Sequence, residues 1–241
     1  MKNKTVFTFK SVEVKADVYR MLAVKIFAAF LIVVILLPSG ACAQETPSDG
    51  FYQEFHENGK IKKEVFYENN QKNGEYTEYY STGKVRLTAS FKNDTLEGSL
   101  EEYDHNGKLI SRENYSNGEI DGLQQEFDPE GTLIKEQTTK NGRLNGACST
   151  YYRNGQLKQT IMYKNDKPDG MSYVYYDTGK IQAEMPYNNG KINGTVKTFF
   201  PDGKVHSEIQ FHNDEIHGKY LMYDEAGNKT EEKNYRRGKE I

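Results

Sequence analysis

The chain has 241 residues, of which 28% are charged and 36% hydrophobic, with 18 Tyr, 12 Phe, two Cys and no Trp. Two cysteines exclude a disulfide framework and a Cys-based metal cluster, and a formal net charge of −3 offers no basic footprint for nucleic acid. Aliphatic residues are scarce beyond the first 40 positions, so Tyr and Phe must supply much of the buried surface, as in thin sheets.

In chain order, the first feature is a targeting pattern. Lys2, Lys4, Lys10, Lys15, Arg20 and Lys25 precede an apolar run from Ile26 to Leu37, which Pro38, Ser39 and Gly40 end. Ala41-Cys42-Ala43 then supplies an A-x-A site, so residues 1–43 read as a secretory signal peptide, with Met21 an alternative start that gives ordinary proportions. The run is short against the roughly 20 residues of a membrane-spanning helix. Cleavage after Ala43 makes Gln44 the new terminus and the product soluble, periplasmic or extracellular. The alternative is an envelope lipoprotein: Gly40-Ala41-Cys42 resembles the end of a bacterial lipobox, with Cys42 lipidated, although Ser39 stands where Leu is usual. On either reading a membrane is met only through the signal segment or a lipid anchor. Without residues 1–43 the chain holds 26 Lys and Arg against 33 Asp and Glu, a net charge of about −7. Residues 44–49 are a short polar leader.

The rest is a repeat. Gly50, Gly74, Gly98, Gly122, Gly146, Gly170, Gly194 and Gly218 follow one another at intervals of 24 residues. A second series, Gly59, Gly83, Gly107, Gly131, Gly155, Gly179, Gly203 and Gly227, lies nine residues on. The units are therefore 50–73, 74–97, 98–121, 122–145, 146–169, 170–193, 194–217 and 218–241. With each first glycine as position 0, position 5 is always aromatic (Phe55 through Tyr223), position 11 is aliphatic except at Lys229, and position 17 is aromatic except at Thr139. Position 15 adds Val65, Ala89, Ile161, Met185 and Ile209. All these positions are odd, which predicts half-buried strands carrying their apolar residues on one face.

A three-residue loop over positions 7–9 pairs position 5 with position 11 and so sets aromatic against aliphatic on one face. Such loops take a type I turn followed by a left-handed residue, which suits the invariant glycine at position 9 and the prolines Pro129 and Pro201 at position 7. A second turn is expected over positions 19–24, where Asn, Asp or Gly occupies position 20. The prediction is an all-β fold: an extended, twisted antiparallel meander of about 16 strands built from eight 24-residue hairpins.

Segments such as Tyr151-Tyr152-Arg153-Asn154-Gly155-Gln156-Leu157, and Tyr163-Lys164-Asn165-Asp166 through Gly170, resemble MORN-type repeats, and more closely the MORN-repeat variant of the bacterial YwqK family. The resemblance covers all eight units. It implies a hairpin-repeat fold and a scaffold for protein or membrane contacts. It also implies an antitoxin-type role, since the family is often described as the antitoxin half of a toxin–antitoxin pair. The Trp common in eukaryotic MORN units is missing here.

Little in the sequence carries chemistry. His206, His212 and His217 share unit seven without an acidic or Cys set at ligand spacing, and with His56 and His105 they read as solvated surface residues. Glu64, Glu136, Glu184, Glu208 and Glu232 recur at position 14 and read as a solvated, charge-balanced row. Cys148 has no His in register. Tyr76, Tyr80, Tyr152, Tyr176 and Phe200, at even positions, are expected to face away from the apolar ladder, either as a candidate interaction surface or as cross-strand packing. Repetition spreads residues evenly instead of converging a catalytic set, so neither enzymatic activity nor a cofactor is expected. The expected function is that of an exported scaffold for an unidentified protein partner at the cell envelope, which also forms a homodimer. A toxin-neutralising immunity protein and an envelope glycan- or surface-binding module are the alternatives.

Overall fold

The computed structural model describes residues 49–241. The expected signal peptide of residues 1–43, Cys42 and nearly all of the expected leader lie outside the described residues. From Gly50 onward the chain forms one open antiparallel sheet, a meander of 20 strands in which each strand pairs with the one before it, except that the two pieces of an interrupted strand pair with the same neighbour. No described residue is helical, so among the described residues no helix is long and apolar enough to cross a membrane. The count exceeds sixteen for two reasons. Three strands are interrupted before the first glycine of a unit (Thr95–Leu96 and Gly98–Tyr103, for example), and Lys239–Glu240 adds a terminal strand.

Each unit turns as its second glycine requires. The amide of Gly59 donates to the carbonyl of His56 at 2.9 Å, and the amide of His56 donates to that of Lys60 at 2.8 Å. All eight units repeat this pair of bonds. Gly59 has φ of 78° and Gly203 of 96°, the left-handed region that a Cβ disfavours. Phe55 then lies opposite Ile61, and the corresponding residues pair in every unit.

The second turn is tighter than expected. Strand Ile61–Glu68 leads into Gln71–Tyr79 through Asn69 and Asn70 alone, with φ of 53° and 60°. Two successive left-handed residues make a type I′ turn, whose twist matches that of a hairpin. Asn occupies its first place in seven units and Arg237 in the eighth. The following strand begins at position 21, and the first glycine of the next unit lies within it or, where it is interrupted, starts its second piece; it is not in a turn. There the register slips: Val65 faces Tyr76 while Tyr67 faces Lys72, so two extra residues are accommodated around Gly74. Gly194 shows why glycine is needed, for its φ is 127° and a Cβ there would stand 2.9 Å from Cγ of Pro186.

A bulge in every hairpin corrects the expected faces. Glu54 pairs with Lys63, yet Phe55 pairs with Ile61, so Lys62 is left over. The extra residue reverses the parity of the return strand. Positions 5 and 11 therefore share one face with positions 1, 3, 14 and 16. Positions 15 and 17 lie on the opposite face with positions 2, 4 and 13. The odd residues do not form a single ladder. The buried hydrophobic residues are Val65, Ala89, Val174, Met185, Tyr187, Ile192, Val196, Ile209 and Tyr220, and all occupy positions 2, 4, 15, 17 or 22, on this second face. Position 22 (Leu96, Ile120, Leu144, Ile192, Ile216) belongs to the core because it pairs with position 17, as Tyr187 does with Ile192.

Position 5 is the more exposed face, with Phe55 at 57%, against 3% for Ile209 at position 15. Ile209→Ala should cost about 2–4 kcal/mol by leaving a cavity, and Phe55→Ala less than about 1 kcal/mol; comparable losses in thermal unfolding would contradict the face assignment. Ser172, fully buried opposite Met185, has a hydroxyl without a hydrogen-bond partner. Ser172→Ala should stabilise by about 1 kcal/mol, read as a rise of a few degrees in Tm.

Candidate interaction surface

Successive repeats are fastened together along the glycine-turn edge. At position 6, Tyr80 donates its hydroxyl to the carbonyl of Tyr103 at 2.7 Å, Tyr152 to Tyr175 at 2.8 Å and Tyr176 to Phe199 at 2.7 Å. His56 places Nε2 2.9 Å from the carbonyl of Tyr79 in the same way. Each acceptor is position 5 of the next unit. Burial pushes the Tyr152 and Tyr176 phenols above their ordinary pKa. Phe200 has no hydroxyl and packs on His206, ring centroids 4.5 Å apart. Lys60, Lys84, Lys108, Lys180 and Lys204, at position 10, each reach a turn carbonyl of the following unit, Lys108 to Pro129 at 2.7 Å.

Where position 6 is Asp, the bond turns inward. Asp104 Oδ1 accepts the amides of Asn106 and Lys108, both at 2.8 Å, and Asp128 accepts those of Glu130 and Thr132. Asp224 accepts the amide and the side chain of Asn228. The backbone amide of Lys108 does most to hold the Asp104 carboxyl below its ordinary value, the amide of Thr132 does so for Asp128, and the Asn228 side chain for Asp224.

Tyr76 is separate from this group. It lies opposite Ala89 with its ring 5.6 Å from that of Phe91, on the buried face and not away from it. Burial, and then its hydrogen bond to Glu78, raise its pKa. Burial alone would raise Glu78, but the hydrogen bonds from Tyr76 and Arg86 outweigh it and leave this carboxyl lowered.

The middle of the buried face is polar. Glu113, Gln124, Gln137 and Cys148 face one another in turn across four neighbouring strands. Gln124 Nε2 donates to Thr139 Oγ1 at 3.2 Å, Gln137 Nε2 to Gln124 Oε1 at 3.1 Å, and the Cys148 thiol lies 3.8 Å from Gln137 Oε1. Burial pushes the Cys148 thiol up, which opposes the thiolate a nucleophile needs. No group of three His, Cys, Asp or Glu that could hold a metal ion occurs among the described residues.

Three of the position 14 carboxylates are engaged across strands. Glu64 receives Gln53 at 2.5 Å and the Tyr79 hydroxyl at 2.7 Å, Glu136 receives Tyr151 at 2.5 Å, and Glu208 pairs with Lys197 at 2.9 Å. Burial, and then the bond to Glu136, push the Tyr151 phenol up to about 12. The two ends of the sheet differ. The first strand, Gly50–Phe55, leaves Phe51 81% and Phe55 57% exposed, with Phe51 edge-on to Phe66 at 5.1 Å on the same face. The long strand at the other end, Lys229–Arg236, carries Lys229, Glu231, Glu232, Lys233 and Arg236, and Lys229 and Lys233 form ion pairs with Glu232, Glu231 and Glu240.

Two outcomes follow for the turn edge. Tyr152→Phe and Tyr176→Phe should each cost about 1 kcal/mol, with no comparable effect for a conservative change at Phe200. The depressed carboxyls of Asp104, Asp128 and Asp224 contribute stability above the ordinary Asp pKa of 3.8, and that stability is lost as pH falls through their lower folded values. The triple variant with Asn at these positions should therefore unfold with a shallower pH dependence below 3.8 than the natural chain.

A comparison with curated protein sequences finds no match. Among solved structures, the chain is similar to part of one titled Crystal Structure of TcdB2-TccC3-TEV, at 13% identity and a TM-score of 0.19, over 76% of this chain and only 15% of that one. The family model described as MORN repeat variant matches eight successive stretches, 49–69, 72–93, 96–117, 120–141, 144–165, 168–189, 192–213 and 216–237. These stretches cover most of the chain, each holding one glycine turn and one bulged hairpin, and the protein belongs to the MORN repeat variant family.

Proposed function

We propose that the protein is a non-catalytic scaffold, exported to the periplasm or beyond, that joins proteins through the open first edge of its sheet. MORN repeats are in general protein- or membrane-interaction modules. The observation that carries the reading is the asymmetry of the two ends. Charges blunt the final long strand, a known defence against edge pairing, whereas the first strand presents Phe51 and Phe55 to solvent. Narrower membership in the YwqK group, and the export inferred from residues 1–43, are part of the same proposal.

The occupant of that edge in the proposal is a second copy of the chain. Antiparallel pairing centred on Gln53 sets Phe51 of each copy opposite Phe55 of the other, extending the Phe51–Phe66 cluster across the join. It also sets Tyr52 opposite Glu54, and Tyr opposite Glu is a pairing the sheet already uses between Tyr173 and Glu184. Head-to-tail stacking is disfavoured, because the internal register would bring Glu231 against Glu54, like charges directly opposite.

Sedimentation equilibrium of the chain without residues 1–43 should show a concentration-dependent dimer. Phe51→Lys combined with Phe55→Lys should abolish it while the monomer stays folded, read by its β-sheet circular dichroism. A wild-type chain that stays monomeric at every concentration would refute the pairing. Export is tested separately: the mass of protein recovered outside the cytoplasm should correspond to a chain beginning at Gln44, or at a lipidated Cys42.

A further inference from the structure

The type I′ turns provide eight copies of one local structure, and the seventh and eighth depart from the rest together. Position 19 is Asn in units one to seven, the residue that best tolerates a left-handed backbone after glycine. In unit eight it is Arg237, held at φ 52°. Position 23 is Asn, Asp or Glu in units one to six (residues 73, 97, 121, 145, 169 and 193), His217 in unit seven and Ile241 in unit eight. Position 18 of the seventh unit is His212, an imidazole found there in no other unit. These three residues, with Asn213, Glu215 and Lys191 from the preceding arm, line a single cleft between neighbouring turns.

The cleft is rich in donors and poor in acceptors. The amide of Arg237 lies 3.4 Å from Nδ1 of His217, so a neutral ring accepting it carries its proton on Nε2. Asn213 Nδ2 lies 3.1 Å from Nε2 of His212, and a neutral ring accepting there carries its proton on Nδ1. The ring centroids are 5.9 Å apart, and each ring keeps one N–H. Among the described residues neither Lys191 nor Arg237 joins an ion pair, whereas lysines at 197, 204, 219, 229 and 233 all do. Asp214 accepts the amide of Ile192 at 2.8 Å, and Glu215 is the one carboxylate lining the cleft. Two permanent cations thus face one anion in a chain whose net charge is −3.

We propose that this cleft binds a phosphate group, as the free ion or as a monoester. A planar carboxylate offers two oxygens and can satisfy the Arg237 fork alone. A tetrahedral phosphate can take that fork, the Lys191 ammonium and an imidazole N–H on different oxygens. A polar cap at the end of the sheet needs hydrophilic residues, but it does not require Arg in a backbone conformation that Asn fills in the seven other units.

The test titrates the full chain with inorganic phosphate at low ionic strength and follows the imidazole resonances of His212 and His217 by NMR, with acetate as the carboxylate comparison. Two variants restore residues the other units use: Arg237→Asn and His217→Asp. Both keep the turn and its position 23 acceptor, so Tm should not fall. Saturable phosphate binding, weaker by about tenfold for acetate and for Arg237→Asn, is the expected result. Absence of saturable binding, or affinities in both variants within about twofold of the natural chain, overturns it. Vesicles containing phosphatidic acid distinguish the source: co-sedimentation that Arg237→Asn removes assigns a lipid headgroup, and phosphate binding without co-sedimentation assigns a soluble phosphate compound.

Discussion

One leftover residue per hairpin governs the architecture. Because Lys62 and its counterparts have no partner across the strand, the chain leaves each glycine turn with one parity and returns with the other. Without that bulge, the aromatics of positions 5 and 17 and the aliphatics of 11 and 15 would crowd one side of a single-layer sheet. With it, they are divided. Val65, Met185 and Ile209 become almost wholly buried on one face, while Tyr79 and Tyr151 lie across the other and bond to Glu64 and Glu136. Bulges also increase local twist, which lets side chains on one face cover one another without a second layer.

Division of the apolar set makes coupling between neighbouring units the main source of order. A lone hairpin is marginal in water. Here each is held to the next in three places. The sheet ladder joins them through the middle, the Tyr and Lys side chains of positions 6 and 10 join them at the glycine-turn edge, and at the other edge the amide of position 20 bonds the carbonyl of position 22 one unit back, as Asp94 does to Lys72 at 2.9 Å. Stability in such an array is a sum over neighbours. The polar centre of the buried face, Glu113 to Cys148, satisfies its own hydrogen bonds yet contributes less apolar burial than Met185 to Tyr220, so the units are not equal in strength.

The period and the glycine turn were legible in the sequence because each has a strict residue requirement: only glycine serves comfortably at position 9, and Pro129 and Pro201 mark the turn before it. The 5-to-11 pairing followed from loop length. The bulge was not legible, since no residue type is needed at position 12, which holds Lys62, Arg86, Ile110 and His206 among others. Parity carried past an unmarked insertion assigns the wrong face. The two-residue turn did have a signal, the run of Asn at position 19 before Asn, Asp or Gly at position 20, which is a type I′ signature. Once that turn is placed, the aliphatic series at position 22 reads as core. The bonds from Tyr80, Tyr152 and Tyr176 to the next repeat depend on where a neighbouring carbonyl stands, 23 residues away, and composition cannot supply that.

Repetition changes what counts as evidence for function. In a fold with a unique core, an unusual residue is judged against general expectation. Here each position has seven internal comparisons under the same backbone constraints, so a departure that the local geometry disfavours stands out from one that it permits. Lys, Ile or His at position 12 is permitted, because the bulge tolerates any side chain. Phe51 at the first edge and Arg237 in a left-handed turn are different cases, since one is an apolar side chain left to water and the other a backbone conformation better served by Asn. Phe51 lies in the first described unit and Arg237 in the last. Both proposals rest on such departures, the edge pairing on Phe51 and the phosphate cleft on Arg237.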